Sequence, residues 1–246
     1  MIVSILKLIG IALATMVVMP IVILVSPLDR HARVAYRLCQ AWCRVLLTIG
    51  RVRVQVRRLA PLDPRTPYVF MSNHRSHFDV VGVVVALSEF QLRWVAKREL
   101  TRVPFFGWAL RIAKHVVIDR SDHDQAVRSL SAARSQMLDG ISVVIFPEGT
   151  RAVAGQELLP LKKGGFMLAL ETGFPIVPVC VRGSLSILPR GSWRVRRGTM
   201  DIVVGEPIEV AIRTRDELME RVREFMLAHL GAAAAGGEMR TVAGAA

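Results

Sequence analysis

Residues 69–79 read Val-Phe-Met-Ser-Asn-His-Arg-Ser-His-Phe-Asp, an apolar run that ends abruptly in a polar cluster. A second apolar run, residues 80–87, follows it directly. Such an order is typical of a strand that leads through a short polar loop into a helix. The stretch therefore predicts a strand followed by a short loop, whose polar side chains lie at the N-terminus of a helix.

His74 and Asp79 are the residues of this cluster whose chemistry can be coupled. On one continuous helix, a separation of five residues would place them about 140° apart around the axis. They can meet only if His74 lies in the loop, with Ser76 as the N-cap and Asp79 in the first turns of the helix. Asp79 would then accept the Nδ1–H of His74, which leaves Nε2 free to act as a base.

Taken alone, this spacing leaves two other interpretations open. The segment could be a surface loop that contains two ordinary histidines. His74, His77 and Asp79 could also ligate a metal, but no further His, Cys or Glu cluster completes a metal site at a recognisable spacing.

A second stretch, residues 143–151, reads Val-Val-Ile-Phe-Pro-Glu-Gly-Thr-Arg. β-Branched and aromatic residues that run into Pro-Glu-Gly-Thr predict a strand that ends in a loop. Gly149 would let the backbone approach a ligand closely, while Thr150 and Arg151 offer a hydroxyl and a two-pronged guanidinium to a phosphate. A plain turn with a solvated Arg151 is the alternative for this stretch alone.

Together, the two stretches resemble the glycerolipid acyltransferase family, which includes the lysophospholipid acyltransferases. Residues 73–79 are similar to its Asn-His-x-Ser-x-x-Asp block, and residues 146–151 to its Phe-Pro-Glu-Gly-Thr-Arg block. Between them, residues 96–108 resemble the second block, whose basic residue lies near the acceptor phosphate. Residues 176–179 resemble the fourth block, a short hydrophobic element beside the acyl site. The four blocks occur in the family's order.

The resemblance implies an enzyme of phospholipid biosynthesis. It would transfer a fatty acyl group from acyl coenzyme A or acyl carrier protein to the free hydroxyl of lysophosphatidic acid, giving phosphatidic acid. His74 is the expected general base and Asp79 is expected to orient it. Direct attack needs no acyl-enzyme, which fits the lack of a Ser or Cys nucleophile paired to the base. The alternatives are another acceptor, such as a lyso-ornithine lipid or glycerol-3-phosphate, and a non-catalytic lipid-binding or membrane-tethering protein.

The resemblance also implies a set of substrate-binding residues. Glu148 would repel a phosphate, so we expect it to orient Arg151 or the acceptor glycerol. No metal and no cofactor beyond the acyl donor is expected. Many relatives carry Gly before an Ile-Asp-Arg strand where this chain has Ala113-Lys114-His115, which leaves the choice of acceptor open. The residues expected at the acceptor phosphate are Lys97, Arg98, Gly149, Thr150 and Arg151.

Composition indicates one catalytic domain. The chain has 246 residues, of which 52% are hydrophobic, enough for one substantial core. Strand–helix alternation over residues 51–230 predicts a layered α/β domain with a mostly parallel sheet and flanking helices. Residues 231–246 are rich in Ala and Gly and are predicted to be disordered. With only three cysteines, no disulfide framework is implied; Cys39 and Cys43 are expected to be small packing residues.

Residues 1–50 are expected to form a membrane anchor and an interfacial helix. Residues 8–25 carry no charge and would reach about 27 Å as a helix, against about 30 Å for a bilayer core. They could span, or form the first arm of a membrane-embedded helical hairpin. In the helix predicted at 31–50, Arg33, Arg37 and Arg44 would face headgroups. The opposite, apolar side would carry Val34, Leu38, Ala41 and Val45. A soluble core helix with a basic solvent face is the alternative.

The chain is strongly basic, with a formal net charge of +13. Residues 1–60 hold nine basic side chains and one acidic one, which suits an anionic membrane surface. Nucleic acid is disfavoured because no recognition motif occurs and only 6% of residues are aromatic. The basic excess after the apolar run places the catalytic domain on the cytoplasmic side of the inner membrane. Arg190, Arg194, Arg196 and Arg197 could meet an acidic acyl carrier protein or form a solvated face.

Overall fold

The computed structural model describes residues 2–29, 31–102, 114–118, 123–231 and 239–243. Residues 103–108, part of the stretch that resembles the second block, lie outside these ranges. The strands are β1 (Val52–Arg58), β2 (Val69–Ser72), β3 (Leu92–Lys97), β4 (Val116–Ile118), β5 (Ser142–Ile145), β6 (Ile176–Arg182), β7 (Gly198–Val204) and β8 (Arg240–Ala243). The α-helices are α1 (Ile2–Val25), α2 (Arg33–Gly50), α3 (Phe78–Ala86), α4 (His123–Leu138), α5 (Gly164–Thr172), α6 (Ser184–Ile187) and α7 (Arg215–Gly231).

The described strands form one sheet in the order β4-β3-β5-β2-β6-β7-β1-β8. The strands from β4 to β6 are parallel to one another, whereas β6 and β7 are antiparallel. One apolar core contains residues of α2 and α3, and a second contains residues of α4, α5 and α7. Buried strands of this kind read as nearly continuous apolar runs, which explains the pattern of residues 143–146. The predicted α/β layered fold is confirmed.

The tail prediction is wrong for residues 240–243, which form the edge strand β8 rather than disordered chain. This segment pairs antiparallel with β1. An outer strand leaves a row of backbone N–H and C=O groups unpaired, and the segment Thr241-Val242 has the β-branched side chains that suit such an edge. The surrounding Ala/Gly-rich sequence has low hydrophobicity, and for that reason the preference of Thr241-Val242 for a strand was overlooked in the sequence.

The structure brings basic and apolar residues of α2, which were predicted on opposite sides of the helix, onto one exposed side. Val34 and Val45 are 48% and 45% exposed, whereas Tyr36, Cys43 and Leu47 are buried in the core. The helix has neighbours on two sides, α1 and α3, so its outward sector is narrow. That sector combines Arg33, Arg37 and Arg44, exposed as predicted, with the exposed Val34, Ala41 and Val45. A mixed basic and apolar surface suits a membrane interface better than water.

Helix α1 packs along the length of α2. Near its start, the Nζ of Lys7 donates to the carbonyl oxygens of Gly50 and Val195, at 2.7 and 3.3 Å. Near its middle, Nε1 of Trp42 donates to Oγ1 of Thr15 at 3.2 Å. Near its end, Val22 packs in a cluster with residues at the start of α2. Helix α1 is long and apolar enough to cross a membrane, and only 11% of an apolar 18-residue stretch of it is buried within the protein.

Candidate active site

Three neighbouring strands bring the sequence blocks to one edge of the sheet. Strands β2, β5 and β3 are parallel, so their carboxyl ends lie on the same side. His74 follows β2, residues 146–151 follow β5, and Lys97 ends β3. Open α/β sheets bind ligands outside the carboxyl ends of their strands. The candidate site therefore lies where this class of fold places one.

His74 and Asp79 make the predicted contact. Nδ1 of His74 lies 2.9 Å from Oδ2 of Asp79, and the Asp79 side chain is fully buried while that of His74 is 15% exposed. His74 lies in the loop and Asp79 in the first turn of α3. The cap differs by one residue from the prediction, because His77 occupies the N-cap position without a side-chain hydrogen bond. The Ser76 hydroxyl instead accepts the N–H of Phe78 at 3.2 Å.

Two backbone groups fix the Asp79 carboxylate. Its Oδ2 accepts the N–H of Arg75 at 2.6 Å and that of Ser76 at 2.7 Å, in addition to the His74 ring. A carboxylate with three converging donors cannot rotate freely. Since an ionised carboxylate only accepts hydrogen bonds, Nδ1 of His74 is the protonated nitrogen and Nε2 is left with a lone pair.

The backbone of His74 is held from both sides. Its N–H donates to Oε1 of Glu148 at 2.6 Å, and its carbonyl oxygen accepts the N–H of Ala152 at 2.8 Å. The residue before it, Asn73, is buried and hydrogen-bonds through its amide to both the N–H and the C=O of Val181. This pair extends the β2–β6 ladder by one residue. The three contacts fix the peptide that carries the base.

Glu148 has a different role from the one expected. Its Oε1 accepts the His74 N–H and its Oε2 accepts the Leu159 N–H at 2.8 Å. The side chain is only 2% exposed. Burial raises the pKa of the Glu148 carboxyl to about 6, against the opposing effect of these two N–H donors. Glu148 therefore joins the loops after β2 and β5, and its carboxylate oxygens accept these two N–H groups rather than a hydrogen bond from Arg151.

An aromatic stack supports the His74 ring, a feature that sequence reasoning missed. The rings of His74 and Phe146 are stacked with centroids 3.9 Å apart and planes 8° apart. Trp94 stacks on the far side, 5.2 Å from Phe146. The backbone N–H of Trp94 donates to Nδ1 of His115 at 3.1 Å, and the pKa of His115 is lowered to about 3 by burial and, next, by Arg93. The sequence does contain a signal for this stack, since Trp94 lies in β3 and Phe146 directly follows β5, which is the neighbouring strand.

Replacement of Phe146 by leucine is expected to lower kcat by about two- to tenfold, the worth of one aromatic pair. Leucine keeps apolar volume but removes the flat surface that sets the plane of the imidazole. The KM values of both substrates should stay unchanged. Steady-state kinetics and thermal unfolding of the variant check this.

Two further variants make that experiment specific. Phe146→Tyr keeps the ring and should retain activity close to that of the wild type. Phe90→Leu removes a buried ring from the core and should lower Tm without lowering kcat. Equal losses of kcat in Phe146→Leu and Phe90→Leu would mean that the stack acts only through stability.

The expected phosphate-binding residues are placed unevenly. Arg151 is half-buried; its pKa is lowered by burial and then by the positive charge of Arg190, while Asp79 opposes the shift. Nη1 of Arg190 donates to the Arg151 carbonyl oxygen at 3.4 Å. Gly149 has a left-handed φ of 71°, as a tight turn requires, and Thr150 is exposed beside it.

The basic residues after β3 are less well defined. Arg98 is exposed at the start of the 3₁₀ turn Arg98–Arg102, and the side chain of Lys97 lies outside the described part of the chain. His77 lies exposed at the mouth of the site, where loss of hydration and the neighbouring Arg151 and His74 lower its pKa. The structure thus brings together His74, Asp79, Glu148 and Arg151.

Comparison with known proteins supports this reading. The family described as Acyltransferase matches residues 53–182. The 1-acyl-sn-glycerol-3-phosphate acyltransferase of Pseudomonas aeruginosa is 38% identical over 182 residues, which cover 70% of this chain and 68% of that protein. The human 1-acyl-sn-glycerol-3-phosphate acyltransferase alpha is 33% identical over 180 residues, covering 72% and 63% of the two chains.

A solved structure shares the fold. It is the crystal structure of the 1-acyl-sn-glycerophosphate (LPA) acyltransferase, PlsC, from Thermotoga maritima. It matches with a TM-score of 0.75 at 24% identity, and the match covers 92% of this chain and 94% of that one. At 24% identity this match shows a shared fold only. The family match over residues 53–182 and the 38% identity to the Pseudomonas protein show that the chain is related to these acyltransferases by descent. The chain therefore belongs to the acyltransferase family.

Proposed function

We propose that this protein is a membrane-associated acyltransferase that converts lysophosphatidic acid to phosphatidic acid. The observation that carries the proposal is the His74–Asp79 pair at the carboxyl edge of the sheet, together with Arg151, whose positive charge interacts with Asp79. A base beside a fixed positive charge fits an acceptor that has a free hydroxyl and a phosphate. The related proteins named above carry this activity in their names.

The chemistry is a direct transfer. Nε2 of His74 takes the proton of the acceptor hydroxyl while the hydroxyl oxygen attacks the thioester carbonyl carbon. Collapse of the tetrahedral adduct breaks the carbon–sulfur bond, and the imidazolium returns the proton to the departing thiolate. Asp79 stabilises the imidazolium in between. Burial raises the pKa of the Cys180 thiol to about 12 and that of Cys39 to about 11, which argues against a cysteine acyl-enzyme.

Charge near the base supports a phosphate-bearing acceptor. Arg151 would bind the phosphate, with Gly149 and Thr150 shaping the loop and Lys97 and Arg98 assisting from the end of β3. Arg190 adds a second positive charge beside Arg151. The acyl donor, acyl coenzyme A or acyl carrier protein, brings the thioester as a co-substrate, and no other cofactor takes part.

The N-terminal helices support an anchor that enters one leaflet. Both ends of α1 contact the rest of the chain, Lys7 through Gly50 and Val195 and Val22 through the start of α2. A helix that crossed the bilayer would have to leave these contacts. Lying in the membrane plane, α1 keeps them and buries its exposed apolar side. The nine basic residues of segment 1–60 favour the cytoplasmic face of the inner membrane.

The function is tested by offering the purified full-length protein a labelled acyl thioester and a panel of acceptors in detergent micelles. The panel contains lysophosphatidic acid, lysophosphatidylcholine, a lyso-ornithine lipid and glycerol-3-phosphate. We expect labelled phosphatidic acid from lysophosphatidic acid. Labelling of another acceptor alone would replace the proposed substrate, and binding of the acceptor without any labelled product would indicate the lipid-tethering alternative.

In the same assay, Arg151→Gln is expected to raise KM for lysophosphatidic acid by about ten- to a hundredfold, since a hydrogen bond to a charged group is worth about 1.5–3 kcal/mol. Arg215→Gln, which removes an arginine paired with Asp216 in α7, serves as the control for loss of one charge and should leave KM unchanged. An unaltered KM in Arg151→Gln would remove this residue from the phosphate site.

A further inference from the structure

The segment between α6 and β7, residues 189–197, exposes an aromatic ring within a cluster of positive charge. Trp193 is 79% exposed, and Arg190, Arg194, Arg196 and Arg197 are exposed around it. Val195 alone turns inward, at 3% exposure. An indole left in water forgoes the burial that makes tryptophan favourable, so this surface is suited to a partner.

None of the four arginines forms an ion pair with another residue in the part of the chain that the structure describes. The ion pairs of the described chain involve Arg58, Arg65, Arg182 and Arg215, and the 189–197 segment contributes to none of these. Arg190 bonds instead to a carbonyl oxygen, that of Arg151. Four arginines within one short segment, each able to donate hydrogen bonds to two oxygens, are suited to binding a surface that carries phosphate groups.

The segment lies between the anchor and the candidate active site. On one side, Lys7 of α1 donates to the Val195 carbonyl oxygen. On the other, the Ser76 hydroxyl donates to the Leu188 carbonyl oxygen at 2.8 Å, just before the contact between Arg190 and Arg151. The outward side of α1 near Lys7 is apolar and exposed, at Ile2, Val3 and Leu6. The apolar face, the tryptophan segment and the base are therefore neighbours.

We propose that residues 189–197 form a second membrane contact, in which Trp193 enters the boundary between headgroups and acyl chains while the four arginines bind phosphates of anionic lipids. Tryptophan prefers this depth because its ring is apolar and its N–H is polar, and arginines add attraction to an anionic leaflet. The inference rests on the proposed function in one respect: it gives an anionic lysolipid a route from the bilayer past Arg190 to Arg151.

Trp193 reports its own location. Wild type and Trp193→Phe, both full-length, are reconstituted in phosphatidylglycerol-containing vesicles whose acyl chains are brominated near the headgroup. The difference between their emission spectra isolates Trp193 from the other three tryptophans. We expect that emission to be blue-shifted and quenched by bromine. Emission typical of indole in water, unquenched, would overturn the proposal.

Charge is tested separately on the arginines. A triple variant, Arg194→Gln with Arg196→Gln and Arg197→Gln, is compared with a matched triple in α7, Arg215→Gln with Arg221→Gln and Arg223→Gln. Vesicle flotation should show that the first triple needs more phosphatidylglycerol for half-maximal binding, by about fivefold for each arginine removed. The α7 triple should bind like the wild type. Equal binding by both triples would contradict the proposal.

An acyl carrier protein is the competing partner, and its signature is different. If the first triple raised KM for acyl carrier protein but not for acyl coenzyme A, and left vesicle binding unchanged, the segment would be a carrier-docking surface and the membrane proposal would be wrong. Failure of the proposed function shows elsewhere. It would appear as absence of lysophosphatidic acid acylation by the wild type in micelles, whereas the fluorescence experiment decides the segment regardless of activity.

Discussion

His74→Ala is expected to lower kcat for acyl transfer to lysophosphatidic acid by about 10²–10⁴-fold, the range typical for loss of a general base. The ring is held by Asp79 at Nδ1 and by Phe146 on its face, and the backbone N–H of the same residue is held by Glu148. These contacts leave Nε2 as the nitrogen that can take a proton. Because the backbone contact does not involve the ring, the alanine variant retains the link to Glu148.

The variant is measured with a labelled acyl thioester, and kcat and KM are determined separately. KM for lysophosphatidic acid should change little, since Arg151 and the anchor are intact. His229→Ala, which removes an imidazole that packs at a tilt against Phe225 in α7, is the matched control and should retain full activity. Wild-type turnover in His74→Ala would show that another group is the base.

Asp79→Asn is expected to give the second largest loss, and the geometry predicts its kind. Two backbone N–H groups and the His74 ring converge on Oδ2, so the amide oxygen of asparagine will occupy that place. The amide nitrogen then takes the position of Oδ1, which has no hydrogen-bond partner among the described residues. The tautomer of His74 is therefore preserved, and the variant removes chiefly the negative charge that stabilises the imidazolium.

Loss of that charge should lower kcat by about ten- to a thousandfold. Asp79→Ala should differ, because it leaves the N–H groups of Arg75 and Ser76 without their acceptor. We expect it to lose about 1–3 kcal/mol of stability for each unpaired group, measured by thermal unfolding. An Asp79→Asn enzyme with an unchanged kcat would show that the charge is not used.

The parts of the site that were predictable from sequence are those set by neighbours in the chain. The contact between His74 and Asp79 follows from the loop and the first helical turn that residues 74–79 encode. Their meeting with Arg151 follows from a general rule, that parallel strands present their carboxyl ends at one edge. Local pattern and a fold rule together were sufficient for these.

What the sequence did not reveal depends on contacts between distant segments. The Glu148 carboxylate meets the His74 N–H across 74 positions, and nothing in Pro-Glu-Gly-Thr marks that partner. In the sequence, Phe146 looks like the last residue of a buried strand, and only the structure shows that its ring stacks on the His74 ring. The core-facing residues of α2, Tyr36, Cys43 and Leu47, were not identified from the sequence because α1 and α3 approach from directions that periodicity cannot supply.

The clamp around His74 has a consequence for synthesis of the protein. The loop that carries His74 is held by a hydrogen bond to Glu148, which lies 74 positions downstream of His74. It is also held by a hydrogen bond from Asn73 to Val181, which lies 108 positions downstream of Asn73. A chain growing on the ribosome cannot order this loop before residue 181 has emerged, whereas α1 and α2 are made first and contact each other locally. Targeting of the nascent chain to its lipid surface can thus precede activity, and the enzyme becomes competent only where it has already been delivered.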